Sequence, residues 1–187
     1  FDLIAACSAT LALLVGGSYF AQRSFAALRH GVLHIDTPIT LGIVAVIGAA
    51  TALMAGTIGL VQNDIKRVLA YSTVSQLGLM FVALGVGAYG VAVFHVYTHA
   101  FFKACLFLGA GSVIHALSGE QDIRKMGGLA KRIPITFVTF AVATAAIAGL
   151  PPLAGFFSKD EILWFAFASE RGGSTLLWAV ASFTALL

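Results

Sequence analysis

Long apolar runs separated by short polar connectors constrain this chain more than any other feature of its sequence. A helix needs about 20 apolar residues to cross the hydrocarbon core of a bilayer. Only 10% of the 187 residues are charged, whereas about a quarter are charged in an ordinary soluble domain. We therefore predict that the outer surface faces lipid. The apolar segments are 3–20, 39–61, 67–87, 89–116, 133–150, 153–168 and 174–187.

Each apolar segment is predicted to be a helix, because backbone groups in lipid must form hydrogen bonds within their own segment. The alternating polarity over short strands that indicates a transmembrane barrel does not occur in the sequence. The predicted fold class is therefore all-α, a polytopic transmembrane helix bundle of six to seven apolar segments. Such a protein is an integral membrane protein with the lipid bilayer as its main surroundings.

Segment 153–168 is too short to cross a membrane as one straight helix. Sixteen residues reach about 24 Å, less than a hydrocarbon core of about 30 Å. The segment follows Pro151 and Pro152, and segment 174–187 follows Gly172 and Gly173. The two segments are either halves of one discontinuous helix, as transporters use at ion sites, or two ordinary helices. In both cases a break is expected near 151–155 or 170–173.

The charged residues lie mainly in the connectors. The net charge is +3 and the basic residues are dispersed, which excludes a nucleic-acid partner, since nucleic acid requires a concentrated basic face. Cys7 and Cys105 lie inside apolar runs, so they are interpreted as packing residues. If the segments alternate as spans, one end collects most basic residues, and the positive-inside rule places it in the cytoplasm. These residues are Lys66, Arg67, Arg124, Lys125, Lys131, Arg132 and Arg171.

Three titratable side chains lie within segment 89–116. His95, His99 and Lys103 are spaced i, i+4, i+8, so on a helix they form one stripe about 12 Å long. Ionisable residues inside a membrane are costly and mark ion or proton pathways. We favour a proton relay, because histidine titrates near neutral pH. Packing through satisfied hydrogen bonds is the alternative. A metal site is disfavoured, because no third ligand lies near these two histidines in the same helix.

Lys159 follows a Pro-Pro-Leu-Ala-Gly stretch and precedes two carboxylates, Asp160 and Glu161. The carboxylates are candidate counter-ions of the lysine, although adjacent residues point apart on a helix. An interfacial charge cluster, with the Lys159 amine reaching water, explains the same residues. Both interpretations remain open from the residues alone.

The segment that begins near residue 67 has polar residues at both its start and its centre. Asp64 fits a helix N-cap, and Lys66 places a cation unfavourably in the first turn. A polar stripe follows at Ser72, Thr73, Ser75 and Gln76. Such a stripe joins helices or lines a hydrated path. We predict that Ser72, Ser75 and Thr98 line a path of this kind.

The chain resembles the largest antiporter-like membrane subunit of NADH:quinone oxidoreductase, respiratory complex I. The resemblance runs from about Thr40 to Leu187. It rests on LVQNDIKRVLAYSTVSQLGLMFVALG, FHVYTHAFFKACLFLGAGSVIHALSGEQDIRKMGGL and GLPPLAGFFSKDEIL. The wider family includes subunits of sodium/proton antiporters and membrane-bound hydrogenases, and the strings FFSKDEIL and QDIRKMGG favour the complex I member.

The resemblance implies proton translocation driven by redox chemistry in other subunits. It implies a discontinuous helix within 153–187 and a row of protonatable groups near the membrane middle, which are Lys66, His95, His99, Lys103 and Lys159. FMN, iron–sulfur clusters and quinone are expected in partner subunits, with no cofactor in this chain. The implied partners are the other membrane subunits of complex I, in a bacterial cytoplasmic membrane or a mitochondrial inner membrane.

Two domains are predicted, with residues 1–39 as an N-terminal helix and connector and 40–187 as part of an antiporter-like domain. The string FAALRHGVLHIDTPI is similar to a connector of heavy-metal P-type ATPases. We expect 1–38 to pack loosely on the rest. The start at Phe1 and the end inside an apolar run are interpreted as those of a fragment. A subunit of a cation/proton antiporter or hydrogenase, or a non-conducting fragment, is the alternative function. The sequence has no nucleotide fingerprint or iron–sulfur cysteine cluster.

Overall fold

The computed structural model describes residues 36–187 and Gln22. The described regular elements are all helical, and their one β-bridge is an isolated pair between Asp64 and Asp122. The predicted all-α bundle is thereby confirmed, while segment 3–20 and the packing of nearly all of 1–38 lie outside the described residues. The helices are α1 (Asp36–Leu60), α2 (Ile65–Gly85), α3 (Tyr89–Ala116), a 3₁₀ turn (Ile123–Lys125), α4 (Leu129–Arg132), α5 (Pro134–Ala148), α6 (Ala154–Ala168) and α7 (Thr175–Leu186).

The helix ends follow local signals in the sequence. The side chain of Asp64 accepts hydrogen bonds from the backbone N–H groups of Lys66 and Arg67, at 2.8 and 3.2 Å, which confirms the predicted N-cap of α2. Pro134 occupies the first turn of α5, where its missing N–H leaves no bond unmade. Gly149 ends α5 in the left-handed conformation, with φ of 82°, which glycine adopts without a steric penalty.

Three of the described helices are long and apolar enough to cross a membrane: Ile39–Leu60 within α1, Ile65–Gly85 and Tyr89–Ala116. Small residues allow α1 and α2 to pack with their backbones close together. A Cβ placed on Gly78 would lie 2.6 Å from the carbonyl oxygen of Gly48 and 2.7 Å from the Cβ of Ala52. Packing of this kind is typical of helix pairs in lipid.

Helices α5 and α6 form the two halves of one interrupted span. Both run antiparallel to α3: Phe140 of α5 packs against Gly109, and Ser158 of α6 bonds to His95, further towards the start of α3. Each half has 15 residues and reaches only about 22 Å. Together, with residues 149–153 as the break, they cover the length of α3.

This arrangement corrects the prediction that the discontinuous helix lies within 153–187. The chain reverses direction at 169–174, where the N–H of Ser174 donates to the carbonyl of Ala166 at 2.9 Å. Helix α7 therefore runs back along α6, and the Phe167 and Trp178 rings meet at a centroid distance of 5.9 Å. The break falls earlier because two prolines lack the N–H groups that would continue α5. The expected breaks near 151–155 and 170–173 are both present.

The connectors after α1 and after α3 meet at one end of the bundle. Ile65 N–H donates to Gln121 O at 3.1 Å, and Ile123 N–H donates to Asn63 O at 2.8 Å. Arg124 lies 2.7 Å from Asp122, and its hydrogen bond lowers the pKa of that carboxyl to about 2. We call this the basic end, because it collects Lys66, Arg67, Arg124, Lys125, Lys131 and Arg132.

Arg171 lies at the other end, contrary to the prediction that it joins these six residues. Its side chain approaches Gly87, and the neighbouring Ser169 hydroxyl donates to Val86 O at 2.6 Å. The reason is the interrupted span. The prediction counted α5 and α6 as two membrane spans. Because they form one span, the connector that follows α6 lies at the opposite end from the one predicted.

Candidate functional site

Four titratable side chains lie inside the bundle, where the relay hypothesis requires them. His95 is 0% exposed, Lys103 5%, Lys159 6% and His99 8%. His95, His99 and Lys103 lie on α3, and Lys159 lies in the first turns of α6. We call these four side chains the buried row. Their position avoids the cost of exposing charge to lipid, while a part in proton transfer stays a prediction.

His95 is held on both sides of its ring. Its Nδ1 lies 2.9 Å from Ser158 Oγ, and its Nε2 lies 2.9 Å from Gln76 Oε1. Thr98 Oγ1 lies 3.0 Å from the same Ser158 hydroxyl. A fully buried imidazole is therefore connected to hydroxyls on α3 and α6 and to an amide on α2. Each ring nitrogen has a partner, as buried polar groups require.

The two lysines donate to backbone carbonyls. Lys103 Nζ lies 3.0 Å from Leu69 O, towards the basic end of α2. Lys159 Nζ lies 2.8 Å from Ile147 O and 3.5 Å from Ala185 O. Ile147 is in the last turn of α5, where unsatisfied carbonyls present partial negative charge. The break in the span thus supplies acceptors for the Lys159 amine.

His99 connects His95 with Lys103. The centroids of the two imidazoles are 6.2 Å apart, and Lys103 follows one turn later. Phe102 contacts the His99 ring edge to face, at 5.4 Å. His99 Nε2 is buried with no hydrogen-bond partner among the described residues. It is therefore able to accept or donate a proton without first breaking a protein contact.

A polar cavity of about 350 Å³ adjoins the buried row. At about 30 Å³ per water, its volume has room for roughly ten water molecules. Gln76 lines the cavity and also bonds to His95, so the cavity joins the histidine to Lys159. Its other polar lining residues are Ser72, Ser75, Thr144 and Thr184.

The structure places some predicted site residues away from the buried row. Lys66 is exposed at the basic end, and Asp160 and Glu161 are exposed on α6. Neither carboxylate forms an ion pair with Lys159 among the described residues. The reason is the helical geometry, since Lys159 faces inward and the next two positions turn outward. The predicted counter-ion role of the two carboxylates therefore does not take the form of a direct ion pair, and it stays a prediction.

The three predicted path-lining residues differ in their placement. Ser72 is half-buried and lines the cavity. Ser75 lines it too, although its hydroxyl donates to Ala52 O at 2.9 Å and so joins α2 to α1. Thr98 lies on α3 beside Ser158, within the His95 network.

Two residues of the site escaped assignment from the sequence. Gln76 belonged to the polar stripe of α2, but only the fold shows that it faces His95. Ser158 precedes Lys159 and is 0% exposed, although nothing local distinguishes it from a lipid-facing serine. For metals, the described residues contain no group of three or more His, Cys, Asp or Glu side chains that could hold an ion.

Comparison with known proteins identifies relatives over nearly the whole chain. The sequence profile described as NADH:quinone oxidoreductase/Mrp antiporter, TM, matches residues 6–187. The match begins well before Thr40, the predicted start of the resemblance, so residues 6–39 share in it. The proposed division of the chain at residue 39 stays a prediction.

Individual relatives agree with this profile. The chain is 45% identical over 182 residues to NADH-quinone oxidoreductase subunit L of Campylobacter jejuni, covering 97% of this chain and 30% of the relative. It is 52% identical over 172 residues to the protein of the same name from Pseudomonas aeruginosa, covering 91% and 27%. The chain thus spans less than a third of the length of these relatives.

A solved structure has the same fold. The Mrp complex from Dietzia sp. DQ12-45-1b contains a chain that matches with a TM-score of 0.70 and 34% identity. The match covers 79% of this chain and 17% of the other.

Proposed function

The chain belongs to the NADH:quinone oxidoreductase/Mrp antiporter transmembrane family, and on that premise we propose that it is the proton-conducting part of a membrane subunit of NADH:quinone oxidoreductase. It is an integral membrane protein. The observation that supports the proposal is the buried row, four titratable side chains enclosed in one membrane bundle. A structural role for all four is costly, because ionisable groups at mid-membrane must be hydrated or paired.

The proposed path runs from Lys103, through His99 and His95, to the cavity and Lys159. His99 and His95 are near enough for one bridging water to join them. Gln76 accepts a hydrogen bond from His95 and also lines the cavity, so it positions the imidazole beside the cavity that Lys159 lines. Because neither lysine forms an ion pair among the described residues, each is free to give up and regain a proton as its surroundings change.

Redox chemistry takes place elsewhere in this proposal. FMN, the iron–sulfur clusters and quinone belong to partner subunits, and coupling reaches this chain through changes in conformation or electrostatics. The chain acts as a subunit of a translocase, with other membrane subunits of the complex as its partners. By the positive-inside rule, the basic end faces the cytoplasm or the equivalent matrix side.

Sodium/proton exchange is the second candidate, because a chain of an Mrp complex shares the fold. Sodium requires oxygen ligands, and the cavity offers hydroxyls of Ser72, Ser75, Thr144 and Thr184. However, the cavity also holds the amine of Lys159, and the two carboxylates next to it in sequence are exposed. The buried row therefore suits protons better than sodium.

The substitution Lys103→Ala tests the proposed function. We expect it to reduce the number of protons pumped per NADH several-fold in proteoliposomes containing the complete complex. NADH oxidation by an artificial acceptor should stay unchanged, because that reaction does not need the membrane path. The exposed Lys131→Ala is the matched control and should pump normally. Normal stoichiometry in Lys103→Ala would refute the proposed role of the row.

A further inference from the structure

The two hydroxyls beside His95 each have two acceptors within reach. Thr98 Oγ1 lies 3.0 Å from Ser158 Oγ and 3.1 Å from the backbone oxygen of His95. Ser158 Oγ lies 2.9 Å from His95 Nδ1 and 3.2 Å from Ala154 O. Each hydroxyl has a single proton to donate, so it occupies one of two positions at a time.

One combination of these positions fits a neutral imidazole. The Thr98 hydroxyl donates to Ser158, and the Ser158 hydroxyl donates to the lone pair of His95 Nδ1. The single ring proton lies on Nε2 and is donated to Gln76 Oε1. In this arrangement, every donor of the three side chains has an acceptor.

The other combination fits a protonated imidazole. His95 Nδ1 now has a proton and donates it to Ser158 Oγ. The Ser158 hydroxyl turns to Ala154 O, and the Thr98 hydroxyl turns to the backbone oxygen of His95. Nε2 still donates to Gln76. One proton has been added at Nδ1, no covalent bond between heavy atoms has changed, and again no buried donor lacks an acceptor.

We infer that Thr98 and Ser158 form a hydroxyl switch that keeps His95 hydrogen-bonded in both protonation states. They act as positioning residues, with Gln76 as the acceptor common to both states. This inference rests on the proposed function, since the switch matters only if His95 is protonated and deprotonated during turnover. It explains why a fully buried histidine has hydroxyl partners on its Nδ1 side, where a carboxylate would fix one state.

If the switch operates, the hydroxyl group of Thr98 matters more than the volume of its side chain. Thr98→Val keeps the volume and removes the hydroxyl, whereas Thr98→Ser keeps the hydroxyl and removes a methyl group. A residue needed only for packing would tolerate valine better than serine. A residue needed for the switch would tolerate serine better than valine, because the hydroxyl restores both alternative hydrogen bonds.

The experiment measures protons pumped per NADH by the complete complex in proteoliposomes, with assembly checked by NADH oxidation through an artificial acceptor. We expect a several-fold loss in Thr98→Val and little change in Thr98→Ser. Ser158→Ala is the second variant, expected to lose pumping similarly. Ser112→Ala is the control, because this exposed serine on α3 also donates to a backbone carbonyl, at 3.2 Å, but lies outside the network.

The possible results separate the inference from the proposed function. Loss of pumping in Lys103→Ala together with normal pumping in Thr98→Val and Ser158→Ala would overturn the switch alone. Valine tolerated as well as serine at position 98 would also overturn it. Normal pumping in Lys103→Ala would instead overturn the function on which the switch depends.

Discussion

Lys103 and Lys159 show how individual residues of the buried row are stabilised. Both amines are buried, and each donates to a backbone carbonyl, Lys103 to Leu69 O and Lys159 to Ile147 O. Backbone dipoles satisfy the hydrogen-bonding capacity of an ammonium group without adding a fixed opposite charge. A lysine held in this way keeps its position while its proton comes and goes, which a strong buried ion pair would hinder.

Gln76 allows a test of the network through stability. In Gln76→Leu, the Nε2–H of the fully buried His95 loses its acceptor, and an unsatisfied buried donor costs about 1–3 kcal/mol. We therefore expect a lower thermal unfolding temperature in detergent. Gln62→Leu is the control, because Gln62 is only half-buried and its bond to Ile58 O is long, at 3.4 Å. Equal unfolding temperatures for the two variants would contradict the contact between Gln76 and His95.

At the scale of the helices, the interrupted span positions Lys159. The last turn of α5 supplies the carbonyl that accepts from Lys159, and the first turns of α6 supply Lys159 itself and Ser158. The two halves approach so closely that a Cβ on Gly155 would overlap the carbonyl oxygen of Ala146. Glycine is therefore required at this crossing for steric reasons.

Gly155→Ala is predicted to destabilise the bundle. The added methyl group forces α5 and α6 apart, and overpacking of this kind costs about 1–3 kcal/mol. Gly111→Ala is the matched control, because a Cβ at this helical position meets nothing within 4 Å, and alanine gains about 1 kcal/mol over glycine in a helix. Thermal unfolding of both variants in detergent measures the difference. Gly155→Ala as stable as Gly111→Ala would contradict the close crossing.

Local features of the sequence predicted the helices well but not how the short ones pair. The lengths of the apolar runs place α1, α2 and α3 to within a few residues, and the Asp64 cap fixes the start of α2. In contrast, which two short helices form the interrupted span depends on whether the chain continues or reverses at 169–174. The packing of α6 against α3 and α5 decides between these two possibilities. The contact of His95 with Ser158 joins residues 63 positions apart, and no local pattern predicts such a contact.

At the scale of the whole molecule, polarity is arranged as a membrane path requires. Large apolar side chains such as Phe101, Leu108 and Leu176 are exposed on the outside, where lipid is their natural surrounding. The buried row and the cavity lie inside, and six basic residues gather at one end. The three α3 members of the row could be predicted from their i, i+4 spacing, whereas the cavity could not, because it forms where several helices meet.

The central claim is that Lys103 and Lys159 belong to one continuous proton path, and a double-mutant cycle tests it most directly. Protons pumped per NADH are measured for Lys103→Ala, Lys159→Ala and the double variant in the complete complex. Residues that act in series are strongly non-additive. We predict that the double variant pumps no less than the more impaired single variant. Losses that multiply in the double variant would show that the two lysines act independently and would contradict the account.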